Sequence, residues 1–209
     1  MRLRPSGKGG MLMTQVDAFI DYQKSEAWTW EHQALLHSRA VAGTPTIRAA
    51  FEAARVDLLC TGVRRDTLRE DVRGMRDRMR RELSRAAAGE FDLKQDPGGV
   101  ADIEFLAQYW VLSACDRYPA LVTFPDTIRQ LESAGSAALV DHAIVDRLVD
   151  AYRGYRRLIH RLSLEQGRPV VPAAPHAATR AAVVAVWDAV MVRGETLSSG
   201  HAAPAGAPL

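Results

Sequence analysis

The residues best suited to chemistry fall in one stretch, Lys94-Gln95-Asp96-Pro97-Gly98-Gly99-Val100-Ala101-Asp102-Ile103-Glu104. Gly98 and Gly99 let a backbone approach a ligand without interference from a Cβ. The residues after them open a helix, whose first N–H groups and dipole favour an anion. Lys94 adds a positive charge just ahead of it. Asp102 and Glu104 fall in or near the first turn, where a carboxylate complements the helix dipole or holds a metal, a base or a ribose. Spacing alone admits an anion site. It also admits a structural reading, in which Lys94 is solvated, Gly99 permits a turn and Asp102 caps its own helix.

Other candidates are less concentrated. Arg2 and Arg4 stand beside the turn residues Pro5-Ser6-Gly7, two guanidinium groups that suit phosphate. Glu26-Ala27-Trp28-Thr29-Trp30-Glu31-His32-Gln33 sets two tryptophans among carboxylates. It reads as a site wall, or as core aromatics with solvated acids. His32 and His37 are five apart, the wrong spacing for two ligands on one helix face, and no metal-site spacing occurs elsewhere. Cys60 and Cys115 form no CxxC, so they make neither a zinc knuckle nor a disulfide scaffold. No Ser/His/Asp or Cys/His constellation stands out. On this reading the chain has no catalytic residue and no metal ligand of its own.

The elements that must hold these residues are helical. A stretch over Asp17–Arg39 is expected to break near Ser25, and Thr46 is expected to cap a helix carrying Ile47, Phe51, Ala54 and Leu58. Leu68, Val72, Met75, Met79 and Leu83 recur at helical spacing. Their helix also carries Arg69, Arg73, Arg76, Arg78, Arg80 and Arg81 among Glu70, Asp71, Asp77 and Glu82. That mixture reads as a solvated face of near-neighbour ion pairs rather than a nucleic-acid stripe. Val100–Cys115 has apolar residues on two faces and is expected to be buried. A short helix over Asp126–Ser133 ended by Gly135, a long one over Leu139–Gln166 stopped by Gly167 and Pro169, and a last one over His176–Val192 complete the pattern. Only Arg2–Arg4 and Gly10–Thr14 suggest strands. The expected buried seam is Leu68, Val72, Met75, Ile103, Leu106, Trp110, Ile144, Leu148, Tyr155 and Ile159.

Composition sets outer bounds. With 47% hydrophobic and 25% charged residues, the 209-residue chain is not collagen-like, wholly disordered or a coiled coil alone. A net charge of +2 gives no global pull toward nucleic acid or membrane. The N-terminus lacks an apolar signal core, and no apolar run approaches the roughly 20 residues of a membrane span. A cytoplasmic location is expected.

Taken together, MRLRPSGKGGML, DAFIDYQKSEAWTWEHQALLHSRAVAG and MRDRMRREL followed by FDLKQDPGGVADIEFLAQYWVL resemble the bacterial glutamine synthetase adenylyltransferase/adenylyl-removing enzymes. The resemblance runs to about Val192. Uridylyltransferases share only a looser Lys…Gly-Gly…Asp-Ile pattern. The family is several times longer and bifunctional: one half attaches AMP from ATP to a tyrosine of glutamine synthetase, and the other removes it by phosphorolysis. Each half resembles a nucleotidyltransferase palm followed by a helical domain. Mg²⁺ is held by palm carboxylates, a Gly-Ser…Asp-x-Asp motif and a later Asp, and PII-type signalling proteins regulate the balance.

The resemblance places this chain at the end of the adenylylating half. It implies a mostly α fold: a palm remnant with a hairpin at 1–16, a helical domain at 17–193 and a disordered tail at 194–209. It implies nucleotide-proximal positions at Arg2, Arg4, Lys94, Gly98, Gly99, Asp102 and Glu104, with Glu26, Trp30, Glu31 and Arg39 framing the junction to the palm. The Gly-Ser…Asp-x-Asp motif is not in this sequence, and two-metal phosphoryl transfer depends on such carboxylates. The chain alone is therefore expected to be inactive and to bind ATP no tighter than about millimolar, roughly −4 kcal/mol. The other reading is a non-catalytic module that binds glutamine synthetase or a PII-type regulator.

Overall fold

In the structure, a computed structural model, residues 13–198 are described. Arg2, Arg4, most of the expected hairpin and the last eleven residues of the tail lie outside them. Eight α-helices follow in order among the described residues: α1 (Val16–Ser25), α2 (Thr29–Leu36), α3 (Pro45–Thr61), α4 (Leu68–Leu83), α5 (Val100–Ala114), α6 (Thr127–Ser136), α7 (His142–Leu164) and α8 (Ala177–Trp187). The fold is mostly α. One small antiparallel sheet joins β1 (Glu90–Asp92) to β2 (Val170–Pro172), with Phe91 opposite Val171. No helix among the described residues is long and apolar enough to cross a membrane.

These residues divide into two compact units. The first comprises the chain up to Val72 together with Gln108–Gln130, and the second Arg73–Ala107 with Leu131 onward. The divisions fall inside α4, α5 and α6. Uninterrupted helical periodicity at those points leaves no mark of the division in the sequence.

In the first unit, α1 and α2 pack against α3. Thr44, not Thr46, caps α3: its hydroxyl accepts from the Ile47 N–H at 3.4 Å, and Pro45 takes the first helical position. Ile47 consequently points outward, 51% exposed, while Leu58 and Leu59 are buried. Arg55 is also buried, its Nη2 donating to the Val122 carbonyl at 2.9 Å and its Nε to Glu52 at 2.8 Å. Asp71 ties the starts of two helices, accepting from the Thr29 hydroxyl at 2.6 Å and the Thr67 hydroxyl at 3.1 Å.

In the second unit α7 packs on α8, and the β1 ring of Phe91 meets Tyr155 edge-on at 5.6 Å. Gly135 does not end α6 at 133 as expected. It lies inside the helix, where a Cβ would come within 3.0 Å of Val145 and 3.3 Å of His142, so it allows close approach of the start of α7. The stop of α7 is also displaced. Gln166, at φ 54, takes the left-handed position, and the Gly167 N–H closes back on the Leu162 carbonyl. Of the expected seam, Leu68, Val72, Ile103, Leu106, Trp110, Leu148 and Tyr155 are buried; Met75, Ile144 and Ile159 are half-buried.

Candidate functional site

The second half of α4 does not follow its apolar repeat. Met75 and Met79 are half-buried and Leu83 is 42% exposed, whereas Arg76 has no exposed surface at all. Arg76 continues the four-residue spacing of Leu68 and Val72, so it takes the inward position that Met75 was expected to fill. The solvated-face reading therefore fails at Arg76. Its Nε donates to Asp102 Oδ1 at 2.7 Å, and its Nη2 donates to the Gln95 carbonyl at 2.7 Å. Arg80 Nη2 reaches the same Asp102 oxygen at 3.3 Å. Burial lowers the Arg76 pKa, and the Asp102 carboxylate opposes that effect.

The other Asp102 oxygen accepts the Gly98 N–H at 2.7 Å. One carboxylate thus joins α4, the start of α5 and the glycine turn. The loop between β1 and α5 is closed by two further buried carboxylates. Asp92 Oδ1 accepts from the N–H groups of Lys94 and Gln95, both at 2.9 Å. Asp96 accepts from the Asp92 N–H at 2.9 Å and the Ser84 hydroxyl at 2.7 Å.

This network engages the backbone of the glycine turn within the fold. The N–H groups that would face a phosphate are engaged: Gly98 on Asp102, Gly99 on the Asp96 carbonyl, Val100 on the Leu93 carbonyl, Ala101 on the Lys94 carbonyl. Gly98, at φ 78, has no open space beside it. A Cβ there would lie 2.5 Å from the Arg180 carbonyl, so the glycine admits the close approach of α8. Arg180 completes this contact, donating from Nε to the Pro97 carbonyl at 2.8 Å and standing over the Phe91 ring at 4.8 Å. Asp102, 1% exposed, is held by Arg76, Arg80 and the Gly98 N–H.

Two expected positions remain outward. Lys94 is exposed, and its side chain makes no hydrogen bond or ion pair among the described residues. Glu104 is half-buried and accepts from the Tyr152 hydroxyl at 3.1 Å. Among the described residues no three His, Cys, Asp or Glu side chains come together as a metal site.

The tryptophan cluster in the first unit departs from the expectation of core aromatics and solvated acids at Trp28 and Glu31 and keeps it at Glu26, which is exposed. Trp28 is 67% exposed and Trp30 half-buried, while Glu31 is 2% exposed. Glu31 folds back onto the start of α2, accepting from the Trp28 N–H and the Tyr22 hydroxyl, each at 3.0 Å. Glu26 and Arg39 are exposed. His37 donates from Nδ1 to the Pro125 carbonyl at 2.6 Å and accepts at Nε2 from Gln108 at 2.8 Å. Gln108 in turn accepts from Gln33 at 2.7 Å. Cys115 donates to the Leu59 carbonyl, and burial pushes its thiol up to about 12.

Sequence comparison defines the class. Residues 66–170, half of the chain, match the family described as GlnD PII-uridylyltransferase, and residues 1–54 match glutamate-ammonia ligase adenylyltransferase. Both descriptions name nucleotidyltransferases. Relatives named bifunctional glutamine synthetase adenylyltransferase/adenylyl-removing enzyme are 45% identical over 93% of the chain in Thioalkalivibrio sulfidiphilus and 45% over 91% in Nitrosococcus oceani. Another, from Pseudomonas aeruginosa, is 43% identical over 90%. The chain belongs to the glutamine synthetase adenylyltransferase family. It spans about one fifth of the length of these curated relatives.

Proposed function

We propose that this chain is the helical region that follows the palm in the adenylylating half of such an enzyme, with residues 1–16 belonging to the palm and 17–193 to the helical domain. The reaction served is transfer of AMP from ATP to a tyrosine of glutamine synthetase, regulated through a PII-type protein. The observation that carries this reading is the 45% identity over 93% of the chain to relatives named for that activity. The carboxylates that hold Mg²⁺ in this reading are those of the palm.

In this proposal the residues of the motif divide the labour. Gly98, Gly99 and Asp102 act as positioning residues that fix the turn and the start of α5. Lys94, exposed at the edge of that fixed loop, is the group offered to a nucleotide phosphate, together with Arg2 and Arg4. Glu104, held by Tyr152, completes the polar edge. The test joins this chain to the palm segment of the Pseudomonas aeruginosa relative and follows transfer of labelled AMP. Lys94→Ala should cut transfer strongly while the thermal midpoint stays unchanged. Unchanged transfer returns Lys94 to a solvated surface residue.

A second reading draws on the match of residues 66–170 to a family named for PII uridylylation. In it the chain is a non-catalytic module that binds glutamine synthetase or a PII-type protein. Calorimetric titration of the 209-residue chain with each protein separates the two: tight binding without any requirement for a palm favours the module.

A further inference from the structure

In the second unit, α7 and α8 leave a cavity of about 690 Å³ between them. Its floor is apolar, with Leu148, Tyr155 and Val183 buried beneath it. Along α8 its wall includes the small side chains Ala178 and Ala182, with Thr179 and Val186 beside them. On the α7 side Gly154 opens directly into it, and a Cβ built there meets nothing within 4 Å. The α7 rim carries Arg147, Arg157 and Arg161, against a single acid, Asp150.

The charge of this rim differs from that of α4, where acids and arginines alternate. Between Asp150 and Glu165, α7 carries Arg153, Arg156, Arg157, His160 and Arg161 and no acid. The side chains of Arg157 and Arg161 make no hydrogen bond or ion pair among the described residues. Unpaired guanidinium groups suit carboxylates or phosphates, and the apolar floor beneath them suits an apolar face carried beside such groups.

Shape selects the occupant. From Arg147 to Arg161 the rim follows α7 for about 21 Å at the helical rise. That is the length of a helix of about 14 residues, and glycine and alanine along the walls let a second backbone come close. Neither terminal segment of this chain supplies the matching charge, since residues 1–12 and 199–209 contain no Asp or Glu. We propose that the α7–α8 groove docks an amphipathic α-helix of a partner protein, with its apolar face on Leu148, Tyr155 and Val183. One edge of that helix carries carboxylates at one-turn spacing that pair with Arg157 and Arg161.

The probe is a labelled synthetic helix of about 15 residues, with leucine and alanine on one face and glutamate along its flank. It is titrated into the 209-residue chain by fluorescence anisotropy, and its amide shifts are mapped. Shifts should concentrate on α7 and α8. Gly154→Trp, which fills the groove, and the double reversal Arg157→Glu with Arg161→Glu should each weaken binding at least about tenfold. A scrambled peptide of the same composition should not bind. The two arginines are exposed, so their reversal keeps the test decisive if Gly154→Trp fails to fold. Equal binding of the scrambled peptide, or of a DNA duplex of equal charge, would overturn the proposal in favour of a general polyanion strip. Shifts that avoid α7 and α8 would also overturn it.

Discussion

Replacing Asp102 with Ala tests whether the α4–α5 junction rests on a buried ion pair. The substitution removes the acceptor of Arg76 Nε at 2.7 Å, of Arg80 Nη2 at 3.3 Å and of the Gly98 N–H at 2.7 Å. Arg76, with no exposed surface, would keep its Gln95 carbonyl but lose its counter-ion. Breaking a buried pair from one side costs about 3–5 kcal/mol, chiefly because the surviving charge stays desolvated. Arg76→Met should cost less. It leaves Asp102 with Arg80 and the Gly98 N–H, and fills the space with a flexible apolar chain. Combining the two substitutions should recover part of the Asp102→Ala loss, since no orphaned charge remains inside. Urea unfolding followed by far-UV circular dichroism gives all three values from one linear extrapolation. A cost below about 1 kcal/mol for Asp102→Ala, or additive costs in the double variant, would refute the buried-pair argument.

Three further outcomes follow from other contacts. Burial lowers the pKa of His32 from its ordinary 6.5, with the Gln23 carbonyl only partly opposing that shift, so the folded state favours the neutral ring. The unfolded chain takes up the proton more readily, so this contribution is intact above 6.5 and lost as pH falls below it, by at most about 1.4 kcal/mol per pH unit. Urea unfolding at neutral and mildly acidic pH should show a smaller acid loss in His32→Gln than in the parent. Gln166→Gly should raise the thermal midpoint, because glycine takes the left-handed φ of 54 at about 1 kcal/mol less cost; a lowered midpoint would contradict that. Leu106→Ala, at a fully buried position of α5, should cost about 2–5 kcal/mol in the same urea assay, and a loss under about 1 kcal/mol would place Leu106 outside the core.

The sequence discloses helices better than it discloses what they bury. Periodicity locates α4, α5 and α7 because each repeats apolar residues over several turns. The same periodicity misplaces Met75, because the counter-ion that lets Arg76 enter the interior lies 26 residues downstream. The four-residue spacing of Leu68, Val72 and Arg76 is present in the sequence, but arginine is seldom buried without a partner, and the partner is remote in the chain. The Gly98-Gly99 turn is evident from composition, but its reason is the Arg180 carbonyl, eighty-odd residues along the chain. The β1–β2 pair joins three-residue segments nearly as far apart, one of them ending in Pro172, too short for a strand signal. Glu31 is buried because a local capping box and the Tyr22 hydroxyl satisfy it, which charge alone did not suggest.

The central claim is that this helical region serves AMP transfer only together with palm carboxylates. It is tested most directly by incubating labelled ATP, Mg²⁺ and glutamine synthetase with the 209-residue chain alone and, in parallel, with the chain joined to the palm segment of the Pseudomonas aeruginosa relative. The account predicts labelled glutamine synthetase in the joined form and none above background with the chain alone. Mg²⁺-dependent labelling by the chain alone, or no labelling by a folded joined form, would contradict it.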